Sequence, residues 1–431
     1  MSDPSELGVR EAVDRIARGE LTATALLESC LERIRDREDT VGAWELIDQA
    51  GARARAAALD RGAPSGALHG IPVAVKDIID VAGLPTRCGS SLRDETPAAQ
   101  DAWIVRKVRE AGAVVLGKSV TTEFAYFTPG KTRNPHDPSR TPGGSSSGSA
   151  AAVADRMVPL GLASQTAAST TRPAAYCGIA GLVATPGRYD TSGVTGLSPT
   201  LDSLGFLTRD VADLALVAEA LLGVPRATDL ATPPALLVSS RGVFAEVSRP
   251  MQEALRRTAD ACADSGARLG SLSTTAGLAS LPDLQATVMA YEAARSLARE
   301  AGTGQLSDAL MGLLDQGRAT PVSEYERARD AAAHESAALL EALGGFDAVL
   351  TVAAPGPAPE GMPTGNPAFS RPWQVLGFPS VAIPGNVDAE GMPLGVQVVG
   401  RPGDEGHLIA VASWVERIIG SAARRSVTDT G

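Results

Sequence analysis

Stretches with helical spacing alternate along this chain with short β-branched runs, and that alternation restricts it to an α/β fold. Residues 8–35 predict a helix pair, GVREAVDRIARGE and then ALLESCLERIRD, and residues 51–60 continue as an Ala/Arg helix. The period then changes. Residues 71–81 form a β-branched run broken by Lys76-Asp77, and 113–116 read as a short buried strand after a helix over 101–111. Residues 128–149 carry Pro, Gly, Ser and Asn with almost no apolar side chain, and 161–183 form a second segment of small residues. Residues 215–345 read as mostly helical. Strand signals return at 346–353, 379–385 and 394–400, and residues 420–431 read as frayed. No internal repeat or linker interrupts this order. Residues 1–431 are therefore expected to form one domain, with core motifs in 60–210 and 346–415 and a cap-like helical section at 215–345.

Composition narrows the classes of function. Of 431 residues, 44% are hydrophobic and 21% charged, which excludes a disordered chain. The 39 basic and 50 acidic residues leave a net charge of −11, a balance that repels phosphate backbones and anionic headgroups, so neither nucleic acid nor a membrane surface is expected as a partner. The first twenty residues are charged and lack the apolar centre of a signal peptide. No apolar stretch approaches the ~18 residues of a membrane span. Cys30, Cys88, Cys177 and Cys262 lie far apart with no CxxC pair, as expected of reduced thiols in a cytoplasmic protein.

Three segments carry residues suited to chemistry. In GIPVAVKDIID, Lys76 stands among Val73, Ala74, Val75, Ile78 and Ile79. Desolvation there would lower its pKa and make it a general base. The alternative is a salt bridge to Asp77. Gly143 to Ser149, GGSSSGS, runs directly into an Ala-rich helix pattern, unlike a flexible linker. It lacks the lysine of a phosphate-binding loop. Gly144 to Gly148 formally matches G-x-S-x-G, which would make Ser146 a nucleophile with His334 or His407 as base. That elbow must follow a buried strand, whereas PSRTP precedes it here. The third segment, GLASQTAASTTRPAAYCG from Gly161 to Gly178, has small residues able to expose successive N–H groups beside a serine, as an oxyanion hole requires. A generic Ala/Ser/Thr turn is its plain alternative. No cluster of metal-ligand spacing is visible, so no metal or other cofactor is expected.

The order and spacing of these segments resemble the amidase signature family, over most of the chain. The resemblance includes Gly117-Lys118, Glu123-Phe124-Ala125, Asn134-Pro135 and Cys177-Gly178-Ile179-Ala180-Gly181, and it resumes at Trp373, Gly377-Phe378-Pro379, Pro384, Gly395-Val396-Gln397 and Gly400-Arg401. It implies a large mixed, twisted β-sheet with helices on both faces. It also implies a serine–cis-serine–lysine triad. Lys76 would be the base, Ser145 the bridging serine after a cis peptide bond, and Ser169 the nucleophile. The N–H groups of Thr166, Ala167, Ala168 and Ser169 would hold the oxyanion. The reaction implied is amide hydrolysis through an acyl-enzyme, and the family's habit admits a homodimer.

Two positions qualify this expectation. Members usually carry Gly-Gly before the nucleophile, where this chain has Ala167-Ala168. Alanine resists positive φ and adds bulk, so a strained turn or a narrowed pocket is expected. Arg172 is similar to the arginine that binds a substrate carboxylate in the malonamidase-like branch, and its fork suits a carboxylate. Pairing with a structural acid is the alternative. The expected substrate is thus a small amide bearing a carboxylate. A biosynthetic acyltransferase, the amidase component of a tRNA-dependent amidotransferase and a degenerate ligand-binding homologue are the competing functions.

Overall fold

The computed structural model describes residues 3–226, 229–239, 244–272 and 276–428. An eleven-stranded sheet organises them. In chain order its strands are β1 (Trp44–Ile47), β2 (Pro72–Lys76), β3 (Val114–Ser119), β4 (Leu160–Gln165), β5 (Ala180–Val183), β6 (Ser203–Thr208), β7 (Ala235–Val238), β8 (Arg268–Ser271), β9 (Ala348–Val352), β10 (Ser380–Val387) and β11 (Pro393–Val399). Their spatial order is β1-β3-β2-β4-β6-β5-β10-β11-β9-β7-β8. β2 runs parallel to β3 and β4, and β7 parallel to β8 and β9. The other pairs are antiparallel, so the sheet is mixed.

Helices cover both faces, which explains why the central strands are apolar at nearly every position. Successive strand side chains point to opposite faces. Val73 and Val75 of β2 join Leu160 and Leu162 of β4 in one core, with the helices Trp103–Glu110 and Val211–Leu222. Ala74 and Ala163 face the other way, toward the helices Ser147–Ala154 and Thr171–Cys177. That second layer is built from alanines and sits close. A Cβ at Gly148 would lie 2.2 Å from the Ala43 carbonyl oxygen and 2.4 Å from Val120 N, so the GGSSSGS run docks only with glycine there.

Long-range pairing makes one compact domain of the chain. β10 joins the N-terminal half through β5, and β7 joins the C-terminal half through β9. The middle section is not solely helical. It holds Arg249–Asp264, Ala276–Ser296, Asp308–Ala319 and Val322–Ala342, but it also supplies β7 and β8, which extend the sheet beyond β9. The segment 161–183 resolves into a strand, a helix and a strand, because its small residues fit between two buried layers. A helix runs over Glu405–Thr428 and so covers most of the stretch read as frayed; residues 429–431 lie outside the described range. Among the described residues no helix is long and apolar enough to cross a membrane.

Candidate active site

Lys76 ends β2 with its side chain fully buried. Its Nζ donates to Ser145 Oγ at 2.6 Å and to Ser164 Oγ at 2.9 Å. The salt bridge to Asp77 offered by the sequence does not form, because Asp77 turns to Lys118 at 2.8 Å. Burial pushes the Lys76 amine down to about 7, against the opposing pull of the Asp202 carboxylate. A lysine in this state carries a usable lone pair near neutral pH.

The Gly144–Ser145 peptide bond is cis. The chain then enters the helix Ser147–Ala154, and Ser146 N–H donates to the Ser169 carbonyl at 3.2 Å, tying the two serine segments together. The formal G-x-S-x-G match has no elbow. Ser146 is fully buried, its Oγ donates to the Ser164 carbonyl, and no strand leads into it. His334 is exposed on the helix Val322–Ala342, and His407 is held by Asp347 at 2.8 Å.

Ser169 lies in the turn between β4 and the helix Thr171–Cys177. Gln165 organises that turn: its Oε1 accepts from Thr170 N–H at 3.0 Å, Thr171 N–H at 3.2 Å and the Thr171 hydroxyl at 3.1 Å. Thr166 is fixed from two sides, its hydroxyl donating to Asp202 at 2.5 Å and its carbonyl accepting from Gln285 Nε2 at 2.9 Å. Ala167 and Ala168 are not among the residues of positive φ. The expected strain in the turn is therefore absent, since neither alanine is asked to adopt a left-handed backbone.

Ser145, Ser169, Thr166, Ala167 and Arg172 line one cavity of about 20 Å³, with Phe127 and Met289 on its wall. That is room for one or two waters at ~10–15 Å³ each. Ser145 thus touches Lys76 and shares the cavity with Ser169. Ser169 Oγ itself makes no hydrogen bond to either among the described residues.

Arg172 is 4% exposed. Its Nη2 donates to the Gly144 carbonyl at 2.6 Å, its Nη1 to the Gly365 carbonyl, and its Nε is buried without a partner. The guanidinium sits 5.8 Å from the Phe127 ring centre. Among the described residues no carboxylate pairs with it, so the structural acid offered as an alternative is not found. Burial lowers its pKa to about 10.

The sequence singled out neither Asp202 nor Gln285, and it gave Ser164 and Gln165 only as members of the Gly161–Gly178 segment, with no role of their own. Ser164 and Gln165 end β4, just before the Ser169 turn, and Gln285 is one polar position in a long helix; only placement in space links Ser164 to Lys76 and Gln285 to Thr166. No group of three or more metal-ligating side chains is found among the described residues, and the four cysteines are buried and unbridged.

Comparison with known proteins agrees with this architecture. The amidase family model matches residues 25–409. The chain is 32% identical to one component of the glutamyl-tRNA(Gln) amidotransferase of Anaeromyxobacter dehalogenans, covering 97% of this chain and 98% of that one. It is 33% identical to an amidase of Pseudomonas putida, covering 97% of each. A solved amidase structure superposes with a TM-score of 0.88 at 32% identity, over 95% of this chain and 99% of the other. The sheet order, the buried lysine at the end of β2 and the matched length lead to one conclusion: this chain belongs to the amidase family and is an enzyme of amide chemistry.

Proposed function

We propose that the protein hydrolyses the C–N bond of a small, carboxylate-bearing amide by a serine–cis-serine–lysine mechanism. Neutral Lys76 accepts a proton from Ser145 as Ser145 takes one from Ser169. The freed Ser169 oxygen bonds to the amide carbonyl carbon. The N–H groups of Thr166, Ala167, Ala168 and Ser169 hold the resulting oxyanion. Collapse breaks the C–N bond, and the proton returns through Ser145 to the departing nitrogen. Water then attacks the acyl ester, releasing the acid and restoring Ser169.

The observation that carries this reading is the 2.6 Å contact from Lys76 Nζ to Ser145 Oγ, made by a buried amine with no carboxylate bonded to it. Arg172, unpaired with any acid and lining the same cavity, supports a substrate carboxylate and a malonamidase-like specificity. The small cavity supports a short acyl group. The test is release of the acid product from matched short amides with and without an acyl-side carboxylate. Preference for the charged member supports the reading, and equal turnover of both removes Arg172 from it.

A second reading is a component of a multi-chain amidotransferase, favoured by 32% identity to such a component over nearly the whole chain. It predicts that amide cleavage needs partner chains. Full turnover by the isolated chain rejects it.

A further inference from the structure

A second cavity, of about 220 Å³, adjoins the first. Ala125, Thr166 and Leu197 line both, so the two spaces share a boundary that includes Thr166 of the Ser169 turn. Arg172, Ser145 and Ser169 line only the smaller one. The larger is lined by the apolar Ile78, Val194 and Leu204, by hydroxyl side chains such as Ser164 and Thr195, and by Asp202.

An amide carbonyl carbon has two substituents, which leave it in different directions. If the acyl side points to Arg172, the nitrogen side must point elsewhere. The nitrogen must also stay within reach of the proton relayed by Ser145 and Lys76. Ser164, the other partner of Lys76 Nζ, lines the larger cavity. Ser145, which protonates the nitrogen, lines only the smaller cavity, so the nitrogen belongs there and only its substituent extends past the shared Ala125, Thr166 and Leu197 into the larger space. The space is ample, since a cavity of about 150 Å³ already holds a benzene ring. Its mixed apolar and hydroxyl lining suits an uncharged, largely apolar group. The Asp202 carboxylate, which accepts from Thr166 Oγ1 and from the N–H groups of Leu197 and Ser198, opposes a second anion there.

We propose that the preferred substrate is a secondary amide: a short acid on the acyl side, at Arg172, and an apolar substituent of up to ring size on the nitrogen, seated in the second cavity. This rests on the hydrolase reading above. Cleavage breaks the bond between the carbonyl carbon and the substituted nitrogen, forms the Ser169 ester, and moves the Ser169 proton to a departing primary amine.

The test uses the whole protein and three monoamides of malonic acid: unsubstituted, N-benzyl and N-carboxymethyl, each followed by malonate release. The expected kcat/KM for the N-benzyl amide exceeds that of the unsubstituted amide by at least about tenfold, the scale on which an apolar pocket discriminates by one or two carbons. The N-carboxymethyl amide falls below both. Val194→Trp and, independently, Thr195→Phe should each lower the N-benzyl to unsubstituted ratio by about tenfold or more. Because the readout is a ratio, loss of folded protein does not imitate the result. A wild-type ratio of one or less overturns the proposal, as does a ratio unchanged in both variants; either leaves the hydrolase reading standing. Cleavage of none of the three overturns both.

Discussion

Arg172 donates from Nη2 to the Gly144 carbonyl at 2.6 Å, so the guanidinium that lines the small cavity also fixes the residue before Ser145. One side chain thereby links the small cavity to the backbone just before Ser145. Hydrogen bonds from charged groups contribute about 1.5–3 kcal/mol. Arg172→Ala should lower kcat/KM by about 10- to 150-fold on an acid-bearing amide. It should also lower kcat on a neutral amide, by less, because the Gly144 carbonyl loses its donor. Matched kinetics on the two substrates check this, and an unaffected neutral amide would argue that the Gly144 contact is idle.

Activity should rise through pH 7. Lys76 must be neutral to accept a proton, and burial brings its pKa to about 7. The kcat/KM profile of the free enzyme reports this group. A limb centred near pH 7 is expected, and one displaced beyond pH 9 would mean that the amine is charged in the resting protein.

The same burial carries a cost in stability with a definite sign. The folded lysine gives up its proton near pH 7, whereas an ordinary lysine does so near 10.5. Between these values the unfolded chain binds more protons, so this site's contribution to stability rises with pH. Lys76→Met should therefore be inactive yet have a higher Tm than the wild type at pH 6, and the difference should shrink toward pH 10. Thermal melts at both values decide it; equal differences at both would contradict the buried, neutralised amine.

Ala167 puts a methyl group on the wall of the 20 Å³ cavity without needing positive φ. Ala167→Gly should widen the range of acyl groups accepted. It should cost about 0.4–1 kcal/mol of stability through a freer unfolded chain. A panel of acyl chain lengths checks the first outcome and denaturant unfolding the second.

Gln285 reaches from the helix Ala276–Ser296 to the Thr166 carbonyl at 2.9 Å. Gln285→Leu removes that donor while keeping an apolar body in place. A neutral hydrogen bond contributes about 0.5–1.5 kcal/mol, so kcat should fall by about 2- to 12-fold with KM little changed. A change confined to KM would mean that Gln285 shapes the pocket and leaves the oxyanion turn alone.

These contacts show where sequence reading reaches and where it stops. The β-branched run holding Lys76 was legible as a buried strand because its pattern is local, and β9, β10 and β11 were legible for the same reason. β7 and β8 were not. Each is four residues long, lies in a region of helical composition, and exists only by pairing with a neighbour distant in sequence. Lys76, Ser145 and Ser169 stood out through motif order, and Arg172 through its place after Ser169. Its backbone partners, Gly144 and Gly365, could not be read. Ser164 and Gln285 belong to the site only through tertiary packing, for which a single serine in a strand or a glutamine in a helix leaves no local mark.

The most direct measurement is covalent labelling with a fluorophosphonate, mapped by peptide mass. Modification of Ser169 is expected in the wild type and its loss in Lys76→Ala and Ser145→Ala, with each variant shown to be folded by its melt. Labelling at another serine, or of Ser169 at an undiminished rate without the lysine, would contradict a relay from 169 through 145 to 76.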